Sequence, residues 1–318
     1  MIKFDREKDK VAIIAPASGA NDDDGVLDVE KSMEKLGVAM NLFQNAGFRC
    51  EYDDKIFAGD SLGYFAAPRA ERLRQLKNAL EDPEVKIISA FRGGYGCSEI
   101  VFDCLDVNPS GAKILIGFSD ITVLHFLFNQ HYNFPSIHTL VNDSYKHMFG
   151  DVLSVLSGGD ITLDLTPLND AATSATDALV PSTTTAISAP AISAEMLGGN
   201  MTLICSLLGT KLHPNISGKI LFIEDVNEKG YRIHRSLMHM HNAGLFKEAA
   251  AVIFGDFTKA DKHAEATLRV FSAEYLGGIA AYKTTGIGHG RVSHPITIGG
   301  SGKIEGNQLV VSSSFELI

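Results

Sequence analysis

The sequence predicts an α/β protein of two domains, and three observations predict it. Short apolar runs alternate with segments of helical spacing through the first half. Several of those runs end in glycine-rich or polar turns. A stretch rich in Ala, Ser and Thr, with few charges, then separates that half from a second segment of strands and helices. Strands alternating with helices imply parallel βαβ units, so the first domain is expected to hold a parallel sheet and the second a mixed α/β arrangement. In open α/β sheets ligands bind at the carboxyl ends of the strands.

Residues 11–15 (VAIIA) read as a buried strand and PASGA as the turn after it. Residues 25–46 have helical apolar spacing, GFRCEY follows as a strand, and residues 68–81 form a second helix. Residues 86–90 (KIISA) are a strand leading into FRGGYGCSEI, and residues 113–118 a strand leading to Ser119, with a helix over 121–130. Residues 166–193 have the character of a linker. The expected division is therefore 1–165, a linker over 166–193, and 194–318. The second half opens with EMLGGN as a glycine-rich turn entering an apolar helix. Residues 219–223 (KILFI) are a strand ending in Glu224 and Asp225, residues 231–243 a helix, and residues 249–254 a strand ending in GDF. GIGHGRVSHPITIGG is a loop, and NQLVVSSS closes as a hairpin.

At 318 residues the chain can bury a sizeable core, and 45% hydrophobic with 21% charged residues is a globular composition. A formal net charge of −10 repels phosphate backbones, so general nucleic-acid binding is not expected. Cys50, Cys97, Cys104 and Cys205 form no CxxC pair, which argues against a disulfide framework or a thiolate zinc site and fits a cytoplasmic protein. The early apolar run is too short for a signal-peptide core or a membrane span.

The chemical candidates each have a plain alternative. Ser119 stands where a strand turns into a helix. Serine there commonly caps the helix, yet a serine on such a turn is also exposed beside a helix N-terminus that favours negative charge. Gly117–Phe118–Ser119 keeps the first glycine of a GxSxG elbow, but Ile121 replaces the second. FRGGYGCSEI is a simple glycine turn, a weak phosphate loop without the Walker ending, or a source of amides for an oxyanion. Glu224 and Asp225 end a strand, where a carboxylate is solvated, caps an element or orients a histidine. His289 sits between glycines, which let its backbone approach another element. His234, His239 and His241 lack the spacing of a ligand set, and no HExxH is present, so no metal is expected.

Taken in order, VAIIAPAS, AFRGGYGC, IGFSDIT, MLGGNMTLICSLLGT, LFIEDVNEKGYRIHR and GIGHGRVSHPITIGG resemble the serine peptidase family of L,D-carboxypeptidases, which also contains the microcin-immunity peptidases. The resemblance runs through nearly the whole chain. It implies a Ser–Glu–His triad of Ser119, Glu224 and His289, with an oxyanion hole from the amides of Gly94 and Asp120. It implies removal of the terminal D-alanine from murein tetrapeptides, with a murein peptide as substrate and no cofactor; with the charge and the short apolar run, no nucleic acid and no membrane are expected as partners, and a homodimer is the assembly considered. The rivals are a microcin-immunity peptidase acting on a peptidyl-nucleotide and a non-catalytic ligand-binding relative. One departure stands out. His234 occupies the place where the family usually has an acidic residue in YRxDR. Arg232 and Arg235 beside it are candidates for a substrate carboxylate, or plain surface arginines.

Overall fold

The computed structural model describes residues 1–176 and 191–318. It is a two-domain α/β structure with two large sheets and one of two strands. Chain contacts divide it into a first unit, Met1–Gly158 with Ser314–Ile318, and a second unit, Gly159–Ser313.

The first unit contains β1 (Ile2–Phe4), β2 (Lys10–Ile14), α1 (Val29–Asn45), β3 (Arg49–Tyr52), α2 (Arg69–Glu81), β4 (Val85–Ala90), β5 (Ile114–Gly117), α3 (Thr122–Phe126), β6 (Ser136–His138) and α4 (Phe149–Leu156). Five strands are parallel and lie in the order β3-β2-β4-β5-β6. The four residues of β5, ILIG, are all buried, as expected of an inner strand covered on both faces. Helix α1 starts where the Asp28 carboxylate accepts the Lys31 N–H at 2.9 Å. Its buried face is Leu36, Ala39 and Phe43, one side of a 3.6-residue period. Strand order reverses between β2 and β4, and in open α/β sheets such a switch point is where ligands bind, outside the carboxyl ends of the strands. Strand β1 pairs in parallel with a strand from the far end of the chain, Phe315–Leu317.

The second unit contains β7 (Ile161–Asp164), β8 (Thr166–Pro167), α5 (Asp170–Thr176), β9 (Ile192–Asn200), α6 (Met201–Leu207), β10 (Ile220–Val226), α7 (Gly230–Asn242), β11 (Ala251–Thr258), α8 (Ala264–Tyr275), β12 (Ala280–Lys283), β13 (Ile296–Ile298), β14 (Ser301–Glu305) and β15 (Gln308–Val311). Its eight-stranded sheet runs β7-β15-β14-β9-β10-β11-β12-β8. The middle strands β9, β10, β11 and β12 are parallel, and antiparallel pairs flank them on both sides.

Three segments differ from the sequence expectation. The stretch 166–193 does not begin as a linker: Thr166 and Pro167 pair with β12, and the Asn169 amide donates to the carbonyls of Ser272 and Ile279. Residues 177–190 of that stretch lie outside the described residues. EMLGGN is the end of β9, not a turn. A Cβ on Gly198 would fall 2.0 Å from the Phe222 carbonyl oxygen, so the glycine serves close strand approach. The helix expected over 121–130 is a 3-10 turn (Ser119–Ile121), then α3, then a π turn (Leu127–His131). An α-helix cannot begin at Ser119, because that residue has φ +61°.

Candidate active site

Ser119 leaves β5 in the left-handed region, one of four non-glycine residues with positive φ among those described. Such a conformation costs about 1–3 kcal/mol and persists only where the surroundings impose it. Ser119 is the first residue inside the turn and Phe118 holds the cap position, so the capping role considered for Ser119 is not realised. The 3-10 turn instead sets the half-buried serine at the carboxyl end of an inner parallel strand. Under that strand lies the fully buried His125, with Nε2 2.8 Å from the Gly117 carbonyl and Nδ1 2.7 Å from Ser136 Oγ.

The RGGYG loop leaves β4 and passes beside this turn. A Cβ on Gly93 would lie 2.7 Å from Ser119 Cβ, so only glycine lets the loop come so near. Gly94 lies against Ser18, where a Cβ would be 2.5 Å from the hydroxyl oxygen. The amide of Gly94 nevertheless belongs to the peptide that leaves Gly93. Asp120 clamps the loop: its buried Oδ2 accepts the Cys97 N–H at 2.8 Å. Burial raises the Asp120 pKa, and the Cys97 N–H works against that rise.

A second clamp was not foreseen. Arg72 of α2 is fully buried and stacks 4.1 Å from the centre of the Phe65 ring. It donates to the carbonyls of Pro16, Ala67 and Gly96 and to the Glu99 carboxylate. One guanidinium thus joins the loops that follow β2 and β4. The available signal was position: Arg72 shares a helical face with the buried Gln75, Leu76 and Ala79.

In the second unit Glu224, on β10, is fully buried, and its Oε2 lies 2.6 Å from Nδ1 of His289. Burial pushes the Glu224 pKa up, and the contact with His289 opposes the shift. The neighbouring Asp225 is committed elsewhere. Its carboxylate accepts from the Asn200 amide at 2.9 Å and from the backbone N–H and hydroxyl of Thr202 at 3.2 and 2.9 Å, which ties it to the start of α6. The His289 loop needs Gly288 at φ +114°, where a Cβ would lie 2.5 Å from Glu224 Oε2. Asp256 holds the loop from the other side: its N–H donates to the Ile287 carbonyl at 2.8 Å, and its Oδ2 accepts the Gly286 N–H at 3.0 Å. The GDF ending of the strand was seen in the sequence, but not this role.

The remaining candidates sit apart from these contacts. Arg232 and Arg235 are exposed on α7. Arg232 is 4.0 Å from Glu228, and Arg235 stands 5.6 Å from the centre of the Tyr231 ring. His234 packs edge-on against Phe271 and Tyr275 of α8, a contact that a carboxylate could not replace. All four cysteines are free. Burial pushes the thiols of Cys50 and Cys104 up to about 12 and that of Cys205 to about 11, so none of these three supplies a thiolate near neutrality. Among the described residues no helix is long and apolar enough to cross a membrane, and no group of three or more His, Cys, Asp or Glu side chains is arranged to hold a metal ion.

Comparison with known proteins gives this geometry a context. A putative carboxypeptidase of Rickettsia conorii is 31% identical over 97% of this chain and 90% of its own length. A murein tetrapeptide carboxypeptidase of Pseudomonas aeruginosa is 28% identical over 94% of each chain. The crystal structure of a muramoyltetrapeptide carboxypeptidase from Oxalobacter formigenes has the same fold, with a TM-score of 0.74 at 22% identity, covering 96% of this chain and 99% of that one. The model of the LD-carboxypeptidase N-terminal domain matches residues 11–139, and that of the C-terminal domain matches residues 193–304. The chain belongs to the LD-carboxypeptidase family.

Proposed function

We propose that this protein is a serine-type L,D-carboxypeptidase that releases the terminal D-alanine from murein tetrapeptides, with Ser119, Glu224 and His289 as its catalytic residues. Family membership supports a hydrolase. The observation that carries the serine mechanism is the 2.6 Å contact between His289 Nδ1 and a carboxylate with no exposed surface. A buried carboxylate that takes the Nδ1 hydrogen fixes the imidazole tautomer and makes Nε2 the unprotonated nitrogen, the one that acts as the base. Ser119 Oγ adds to the scissile carbonyl as its proton passes to Nε2. The tetrahedral oxyanion is received by the amides of Gly94 and Asp120. The imidazolium then protonates the departing amine of D-alanine, and water repeats the sequence to free the acyl group.

The strained φ of Ser119 is consistent with this reading, since backbone strain gathers at functional sites. The test is to incubate the protein with murein tri-, tetra- and pentapeptides and weigh the products. Loss of one alanine from the tetrapeptide supports the proposal. An untouched tetrapeptide together with cleavage of a peptidyl-nucleotide would assign the microcin-immunity reaction instead. Neither turnover nor labelling of Ser119 by a serine-reactive probe would leave a non-catalytic binding protein.

A further inference from the structure

A cation without an ion-pair partner among the described residues belongs to the loop that packs on the Ser119 turn. Arg92 opens the loop after β4 and is joined directly to Gly93, the residue that packs on Ser119. It is half-buried, and Nη1 donates to the Gly19 carbonyl at 2.7 Å. A guanidinium has five N–H donors, so most of this one remains uncommitted. Its neighbours in the unit are served differently. Arg72 meets Glu99, Arg69 meets Asp103, and Arg74 meets Asp53 and Glu71. Among the described residues no carboxylate forms an ion pair with Arg92. Loss of water around the group lowers its pKa. A cation partly stripped of water and left unpaired is costly, and an incoming anion offsets that cost.

We infer that Arg92 receives the free α-carboxylate at the C-terminus of the peptide substrate. The inference rests on the carboxypeptidase reading above and names the group that makes the enzyme act on chain ends. In a substrate that loses its last residue, only the amide nitrogen and the α-carbon separate the scissile carbonyl from the terminal carboxylate. The partner of that carboxylate must therefore come from a residue next to the nucleophile. The backbone of Arg92 meets that condition through Gly93, which packs on Ser119. Its planar fork also matches a carboxylate with two parallel hydrogen bonds. Arg232 and Arg235, weighed for this task from the sequence, lie exposed on α7 with Glu228 and Tyr231 as neighbours. Neither is an unpaired, partly buried charge.

The experiment compares the wild type with Arg92→Gln and Arg92→Lys on a murein tetrapeptide and on its C-terminal amide. Activity is read as kcat/KM, and binding of both peptides to the Ser119→Ala forms is read by calorimetry. The wild type should prefer the acid by on the order of 100-fold, as for a charge-assisted hydrogen-bonded pair. Arg92→Gln should bring that ratio close to one, chiefly through a raised KM for the acid. Arg92→Lys should fall between, because it keeps the charge and loses the fork. A purely structural role for Arg92 would weaken both substrates alike and keep the ratio. That result, in a folded Arg92→Gln protein cleaving the acid, overturns this inference and spares the carboxypeptidase reading. A wild type that neither cleaves nor binds the acid overturns both.

Discussion

Glu224 Oε2 and His289 Nδ1 are 2.6 Å apart, while Asp225, the next residue in the strand, turns its carboxylate to Asn200 and Thr202. The Asp225 carboxylate is spent on Asn200 and Thr202, so the two acids hold different tasks. Glu224→Gln is expected to lower kcat by on the order of 10³–10⁴, the scale of a histidine held in the wrong tautomer. Asp225→Asn should retain more activity and lose about 1 kcal/mol of stability from a weakened α6 start. Steady-state kinetics and thermal unfolding of both variants decide; a greater loss of kcat in Asp225→Asn would show that the wrong carboxylate was chosen.

Ser119 combines a proposed chemical role with a strained backbone, and the two separate by substitution. Ser119→Ala and Ser119→Gly should both abolish turnover. Glycine accepts φ +61° without strain, so Ser119→Gly should be more stable than Ser119→Ala by about 1 kcal/mol, even after its greater unfolded-state freedom. Chemical denaturation of the pair measures the difference. Residual turnover in either folded variant would remove Ser119 as the nucleophile.

Gly288→Ala would place a methyl carbon 2.5 Å from Glu224 Oε2, at φ +114°. The loop must shift, and a displacement of about 1 Å at a reacting group can cost on the order of a hundredfold in rate. The expected outcome is a fall in kcat of that order with the fold preserved. Wild-type kinetics in Gly288→Ala would mean that the His289 loop tolerates a displaced base or does not supply one.

Acid stability should report on His125. Burial lowers its pKa to about 4 in the folded chain, against about 6.5 in an unfolded one. Between those values the unfolded chain binds a proton that the folded chain refuses. Stability is therefore retained above roughly pH 6.5 and lost as the pH falls toward 4. At about 1.36 kcal/mol per unit, the loss between pH 7 and 4.5 is about 2–3 kcal/mol from this group. His125→Gln should show a correspondingly smaller difference in unfolding free energy between those two pH values. Equal differences for both proteins would contradict the burial argument.

What the sequence disclosed was local. The strand before Ser119 was visible as an unbroken apolar run, and the helix after β10 as a 3.6-residue repeat. Only the family resemblance pairs Glu224 with His289, 65 residues apart, and their side chains touch. Sequence pattern did not disclose which backbone groups a side chain would reach across the fold. Arg72 bonds to the Pro16 carbonyl 56 positions away, and Asp120 holds the Cys97 amide 23 positions away. Those contacts depend on strand order, which hydrophobic period does not carry. Composition misled in two places. The glycines of EMLGGN make room for a neighbouring strand rather than a turn, and the first part of the Ala/Ser/Thr-rich stretch is held by Asn169. Ser119 was weighed as a helix cap because the pattern shows where a helix begins but not the sign of φ there.

The pairing of Ile2 with Phe315 has a consequence for how the chain is made. Ribosomes deliver a protein from its first residue onward, and domains generally fold as they emerge. Strand β1 therefore spends the whole of elongation through the second unit without its neighbour. Closing so long a loop is less costly than its length suggests, because the entropic penalty grows only logarithmically and the folded second unit shortens the span. The vulnerable moment is the wait itself, when an unpaired edge is exposed to other nascent chains. Damage near Phe315 would accordingly be felt at β1.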